Sequence, residues 1–333
     1  MTKIAVFDAK PYDRASFDAA NAGRYAFRYF ETRLTAASVP LAEGCAGVCA
    51  FVNDAVDAAT VEGLVARGVK VLALRCAGYN NVDFKAAFEK GLTVVRVPAY
   101  SPYAVAEHAM ALLMTLNRHL HKAAARTRDF NFSLVGLTGM DLHGKTAGVV
   151  GTGKIGRIFC DICKGLGMRV LAYDAFPNPA SGLDYVTLNR LLAESDVVSL
   201  HCPLTPETHH LFNAETIGLM KPGAFLVNTS RGGLVESGAL LDALRSGRLG
   251  GAGLDVYEEE SDWFYEDRSQ RVNQDKVLAL LVSMPNVLVT SHQAFLTHEA
   301  LANIAATTCA NLDAYFSGAP LENEVCFRYA PAL

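Results

Sequence analysis

The sequence predicts an α/β protein of two domains, each built on a doubly wound parallel sheet. Three observations predict it. The chain has 333 residues, more than one hydrophobic core comfortably organises. Short apolar runs alternate with helix-patterned stretches, the signature of βαβ units. That alternation occurs twice, once in the first hundred residues and again from Thr146, with a long helical interval between.

In the first series, residues 4–7, 25–29, 47–51, 69–74 and 93–97 read as strands, with helical segments that include 60–67 and 84–90. Pro98 and Pro102 then punctuate the chain. One long helix is predicted from about 103 to 127, because Val105, Ala109, Leu112, Leu116 and Leu120 recur at spacings of three and four. The second series predicts strands at 146–150, 169–173, 197–201, 224–228, 251–256 and 287–291. Helices at 155–166, 188–194, 214–220 and 238–246 lie between them. Strands so continuously apolar imply a sheet covered on both faces. A last helix over about 299–316 precedes the tail.

Composition narrows the function classes. Hydrophobic residues make up 51% and charged residues 19%, ordinary for a soluble enzyme. A net charge of −4 argues against a nucleic-acid or anionic-membrane surface, so an anionic substrate needs a local cation. The first residues alternate like a strand, with no signal-peptide h-region, and no apolar run is long enough to span a bilayer. A cytoplasmic location is therefore expected. The eight cysteines are expected to be reduced. Cys160 and Cys163 form a C-x-x-C inside a predicted helix, which favours small helix residues over a redox pair. His298-Glu299 opens like a zinc-protease helix, but position 302 is Ala, and no metal site is expected.

Gly151, Gly153 and Gly156 form a G-x-G-x-x-G directly after an apolar strand and at the start of a helix. In that setting the glycines serve a tight turn, close backbone approach to a diphosphate and close helix–strand packing. The helix N-terminus offers free N–H groups and partial positive charge to phosphates. Asp174 ends the next strand, 18 residues past the third glycine, where a carboxylate accepts from ribose hydroxyls and repels a 2′-phosphate. No Arg or Lys follows in 175–179. The expected cofactor is NAD.

Reducing a 2-oxo acid also needs a cation for the carboxylate and a proton donor tuned to working pH. Candidates sit at predicted C-terminal strand ends, where ligands bind in such sheets. Arg231 offers a bidentate grip. His292 offers an acid–base, although a lone His is more often a hydrogen-bonded core residue. A carboxylate after the strand at 251–256 would orient His292, but Glu258, Glu259 and Glu260 are all placed for it, and chemistry alone does not choose.

These residues resemble the D-isomer-specific 2-hydroxyacid dehydrogenase family, and within it the fermentative D-lactate dehydrogenases. The resemblance runs over nearly the whole chain. It is carried by the run from Leu74 through Cys76-Ala77-Gly78 to Asp83, Arg96 to Tyr100, Ala106-Glu107-His108, Gly144 to Gly156, Ser199 to Pro206, Asn228 to Gly232, Asp255 to Glu258, and His292 to Thr297. It implies that Arg231, Glu260 and His292 are the catalytic set, choosing Glu260 among the three acids. It implies that the amides of Ala77 and Gly78 hold the substrate carboxylate and that Tyr100 sits beside the substrate. Cofactor contacts carry over to Lys154, Ile155, Asp174, Cys202, Pro203, Thr229, Ser230 and Asp255, and to Thr208, where relatives often have Asn. Phe51, Tyr100 and Phe295 could wall a small pocket, although ordinary packing explains Phe51 equally well. The implied layout is a smaller, flavodoxin-like substrate domain of 1–99 and 299–333 around a Rossmann NAD domain of 100–298. Hinges fall near 98–101 and 295–299, and the chain is a homo-oligomer, dimer or tetramer. The implied activity is NADH-dependent reduction of pyruvate to D-lactate. The alternatives are a larger 2-oxo acid, hydroxyphenylpyruvate or branched-chain, and a non-catalytic NAD(H)-sensing protein on the same fold.

Overall fold

The computed structural model describes residues 1–325; Cys326 and the end of the tail lie outside the described residues. The chain divides into two compact units, Met1–Ser101 together with the chain from Phe295 onward, and Pro102–Ala294.

The first unit runs β1 (Thr2–Val6), α1 (Pro11–Asn21), β2 (Tyr25–Tyr29), β3 (Gly47–Ala50), α2 (Ala58–Ala66), β4 (Val71–Leu74), α3 (Phe84–Glu89) and β5 (Thr93–Arg96). Helices start where short polar side chains cap them: Asp57 accepts the Thr60 amide and Asp83 accepts the Ala86 amide. The five strands are parallel in the order β2-β1-β3-β4-β5, the flavodoxin-like winding. Ile4, Val6, Phe17, Cys49, Val71 and Val95 build the core on one face. The last helix of the chain closes that core with Ala305, Cys309 and Leu312.

The second unit begins with α4 (Pro102–Asn117) and α5 (Leu120–Arg128). It continues through β6 (Thr146–Val150), α6 (Lys154–Gly165), β7 (Arg169–Tyr173), β8 (Asp184–Tyr185), α7 (Leu188–Glu194) and β9 (Val197–Leu200). Then come α8 (Ala214–Leu219), β10 (Ala224–Asn228), α9 (Ser237–Arg245), β11 (Leu249–Leu254), α10 (Lys276–Ser283) and β12 (Val287–Val289). The final helix, α11 (His298–Ser317), belongs to the first unit. The seven strands are parallel in the order β12-β11-β10-β9-β6-β7-β8. Counted from β6, the winding goes out through β8 and then reverses at β9, the Rossmann order. Alternate residues face opposite layers: Val149 packs with α4 and α6, while Val150 packs with α7 and α9. Each buried Leu or Val in these layers contributes on the order of 1.5–3 kcal/mol.

Two expectations change. The helix predicted over 103–127 is two helices, broken where His119 takes a left-handed φ of 50°. Val105, Ala109, Leu112 and Leu116 are buried as expected, but Leu120 is exposed. The break follows from packing. Buried Asn117 ends α4 by pairing both amide atoms with the Met140 backbone, at 2.8 and 3.0 Å. Gly139 lies so close to the Asn117 carbonyl that a methyl there would fall 2.4 Å from it. The sheet also gains a seventh strand, β8, whose two residues show no alternation to find. Cys160 and Cys163 lie on the buried face of α6, and burial pushes both thiols up to about 12. The seven described cysteines are free thiols. Among the described residues no helix is long and apolar enough to cross a membrane.

Candidate functional site

The strand order reverses between β6 and β9, and the glycine loop lies at that point. Gly151 has φ 92°, and a methyl on it would meet the Cys202 amide at 2.4 Å. A methyl on Gly156 would fall 1.9 Å from the Gly151 carbonyl. Contacts within the chain thus demand two of the three glycines. Gly153, the N-cap of α6, differs: its added methyl meets nothing within 4 Å. That open face, next to the first-turn amides of Lys154 and Ile155, fits the close approach of a diphosphate. Asp174 faces the same loop. One of its oxygens accepts the Thr152 amide at 2.6 Å and hydroxyl at 2.8 Å, and the other accepts the Phe176 amide at 2.9 Å. Burial alone would raise its pKa, but these donors and Arg157 outweigh burial and hold it below the usual carboxylate range. An ionised Asp174 at the end of β7 suits ribose hydroxyls and opposes a 2′-phosphate. The residues present therefore fit NAD.

Cys202 and Pro203 follow β9, and the Ser230 hydroxyl ties the Cys202 carbonyl to the loop after β10 at 2.6 Å. Burial raises the Cys202 thiol to about 11, so it is no thiolate nucleophile. Thr229 is buried, and among the described residues its hydroxyl has no partner. The Thr208 hydroxyl is spent on its own loop, donating to the Pro203 carbonyl at 2.7 Å and accepting the Thr205 amide at 2.7 Å.

A second constellation sits on the loops after β10, β11 and β12. Glu260 Oε1 lies 2.7 Å from His292 Nδ1, and Oε2 accepts the Tyr257 amide at 2.9 Å. This separates the three neighbouring acids on geometry: Glu258 turns to His210 instead, and Glu259 is exposed. With Nδ1 committed to Glu260, Nε2 is the nitrogen left for proton exchange. Arg231 ends a turn closed by Asn228, whose side chain accepts the Ser230 amide and donates to the Arg231 carbonyl. Its guanidinium donates to the Ser230 carbonyl at 2.7 Å and, among the described residues, meets no carboxylate. Gly232 presses this turn onto the β11 loop, since a methyl there would sit 2.1 Å from the Tyr257 carbonyl.

One organiser of this constellation was missed from the sequence. His292 has a left-handed φ of 55°, unusual for a residue with a side chain. Asp255, fully buried, holds the loop in that shape. Its carboxylate accepts the Gln293 and Ala294 amides at 2.9 and 2.8 Å and the Thr290 hydroxyl at 2.6 Å, and its carbonyl takes the His292 amide at 2.7 Å. His108 Nε2 on α4 adds contacts to Thr290 and Asp255 at 3.1 and 3.3 Å. Burial would raise the Asp255 pKa, but His108, Thr290 and the loop amides outweigh it and hold the group ionised. From resemblance Asp255 is expected to make a cofactor contact, and its hold on this loop is an additional role. Nothing local in the sequence signals its hold on a loop 35 or more residues away.

In the first unit, the turn after β4 anchors its carbonyls: Arg96 donates to Ala77 O at 2.7 Å, and the Cys76 thiol to Gly78 O at 3.2 Å. Among the described residues no acceptor takes the Ala77 or Gly78 amide. Phe51 follows β3 at the switch point of that sheet, packs on Phe295 at 5.9 Å between ring centroids and lies under the Arg75 guanidinium at 4.7 Å. Tyr100 meets Phe295 edge-on at 6.2 Å.

Comparison with known proteins places this arrangement. Residues 110–294 match the family described as D-isomer specific 2-hydroxyacid dehydrogenase, NAD binding domain. The chain is 51% identical to D-lactate dehydrogenase of Escherichia coli (strain K12), over 97% of this chain and 99% of that protein. The apo-structure of D-lactate dehydrogenase from Escherichia coli superposes with a TM-score of 0.90 at 49% identity, covering 97% of this chain and 100% of that one. The pyruvate reductase of Chlamydomonas reinhardtii superposes with a TM-score of 0.93 at 46% identity, covering 97% and 98%.

Proposed function

This chain belongs to the D-isomer specific 2-hydroxyacid dehydrogenase family, an NAD-dependent enzyme, and we propose that within it the chain reduces pyruvate to D-lactate. The observation that carries the chemistry is the 2.7 Å pair between His292 Nδ1 and Glu260 Oε1, set on the same unit as Arg231 and the glycine loop. The substrate assignment is supported by the likeness to the D-lactate dehydrogenase and the pyruvate reductase.

NADH, when bound, supplies the hydride that reaches the carbonyl carbon. Gly151, Gly153, Gly156 and the α6 amides of Lys154 and Ile155 would hold its diphosphate, and Asp174 its ribose hydroxyls. Cys202, Pro203, Thr229, Ser230 and Asp255 are assigned further cofactor contacts, whereas the Thr208 hydroxyl already gives its proton to the Pro203 carbonyl. Arg231 grips the substrate carboxylate and polarises the carbonyl; its planar fork suits both tasks. The amides of Ala77 and Gly78 are assigned to the same carboxylate. His292 Nε2 gives the carbonyl oxygen its proton as charge develops there. Glu260 fixes the orientation of the ring by accepting from Nδ1 at 2.7 Å. Phe51, Tyr100 and Phe295, packed ring on ring, favour a small substrate.

The enzyme is also assigned to the cytoplasm as a homo-oligomer. The succession of exposed apolar side chains Phe130, Phe132, Leu134 and Val135 supports a surface covered by a second copy. The decisive experiment is one panel: pyruvate, hydroxyphenylpyruvate and a branched 2-oxo acid, each with NADH and with NADPH, followed by chiral analysis of the product. Highest kcat/KM with pyruvate and NADH, and only D-lactate formed, is the expected result. A larger acid preferred over pyruvate, or L-lactate, rejects the substrate assignment; no turnover with any acid leaves a sensing role.

A further inference from the structure

We propose that His209, His210 and Glu258 form a binding site for a divalent first-row transition-metal ion of the zinc class, apart from the reacting residues. The three offer ligand atoms that all lie within 4.8 Å of one another. Among the described residues theirs is the one such group that could hold an ion. Three features separate it from a chance surface cluster.

The first is backbone shape. Both histidines lie in the turn that follows Thr205, and their imidazoles sit with ring centroids 3.9 Å apart and 27° between planes. His210 takes a left-handed φ of 51° in that turn. Such a conformation costs a residue with a side chain free energy and needs support from its surroundings. The support is present: the His210 amide donates to the Gly233 carbonyl at 2.9 Å, and its carbonyl accepts from the Asn213 side chain at 3.1 Å.

The second is the orientation of the carboxylate. Glu258 Oε2 accepts the Ser237 amide and hydroxyl at 3.2 and 2.9 Å, while Oε1 faces His210 Nε2 at 2.5 Å. Neutral donors thus fix one oxygen and aim the other, as outer partners do for ligating carboxylates.

The third is access and ligand type. His209 is exposed, and among the described residues no hydrogen bond engages its ring. Two imidazoles and one carboxylate suit zinc, cobalt, nickel or copper and not magnesium or calcium, and the open side leaves coordination positions for water. Uptake exchanges the His210–Glu258 hydrogen bond for two metal bonds. No ligand spacing betrays the site in the sequence, because Glu258 lies 48 residues beyond His210.

The test uses the full-length chain without an affinity tag, stripped by chelator, with Zn2+ titrated calorimetrically and Co2+ followed by its visible spectrum. The reading predicts one saturable Zn2+ per chain and a rise in the thermal midpoint on binding. His209→Ala and Glu258→Gln should each weaken it by about 100-fold or more, and Ser237→Ala by about 10-fold. Because His209 is exposed, His209→Ala should match the parent's thermal midpoint without metal and lose only the metal-dependent rise. Absence of saturable binding, or the same affinity in the parent and both ligand variants, overturns the proposal. Neither readout involves turnover, so the result stands apart from the assigned reaction.

Discussion

The glycine loop and the His292 loop are built in opposite ways. The first is made of backbone: three glycines, a helix N-terminus and one acid, all within 151–174. The second is made of side chains from three strand ends, and its shape depends on one buried carboxylate, Asp255. The difference teaches where a lesion will be felt. Damage to the backbone-built loop is confined to the added atoms. Damage to the side-chain-built loop spreads through every donor its organiser holds.

The largest expected effect breaks the second region directly. His292→Ala should lower kcat by about 10²–10⁴ with NADH affinity nearly unchanged, since acid–base contributions have that size. Stopped-flow reduction together with fluorescence titration of NADH checks both halves, and near-normal turnover removes His292 from the chemistry. Asp255→Ala should come next. It strands two amides and a hydroxyl, at about 1–3 kcal/mol for each donor left buried and unpaired. Denaturant unfolding reads the loss; a variant as stable as the parent denies Asp255 its organising role.

Acid melts sharpen that prediction. The folded pKa of Asp255 is lowered below its ordinary value of 3.8, so the group stabilises the fold above that value. That contribution is lost as pH falls through the lowered folded value. The stability gap between parent and Asp255→Asn should therefore narrow on acidification below about pH 4. A constant gap would mean that the carboxylate charge contributes nothing.

The glycine pair separates ligand space from packing space. Gly156→Ala drives a methyl into the Gly151 carbonyl and should lower the thermal midpoint together with NADH affinity. Gly153→Ala should leave the midpoint in place and weaken NADH by roughly 10-fold, about 1.4 kcal/mol. Equal effects on stability from the two would erase the distinction.

How much of this was legible follows the same divide. Strands β6, β7 and β10 fall where apolar runs place them, because parallel strands buried on both faces are largely apolar. The glycine motif is legible because its parts are neighbours in sequence. The choice of Glu260 over Glu258 and Glu259 was not, since three adjacent acids differ only in which distant ring each meets, and resemblance had to supply it. Asp255 and the break at His119 were hidden for a related reason. A buried Asp and a buried Asn look like ordinary polar residues until the loops they clamp are in place.

The placement of α11 has a consequence for synthesis. It supplies Ala305, Cys309 and Leu312 to the first sheet's core, and a bridge pairs Glu324 with Val95. The first hundred residues therefore leave the ribosome unable to finish their own unit. They wait for roughly 200 more, on the order of 10–40 s at ~5–20 residues per second. The contiguous second unit has all its residues earlier in synthesis. A message cut short before residue 298 would yield a first unit with an uncovered apolar face.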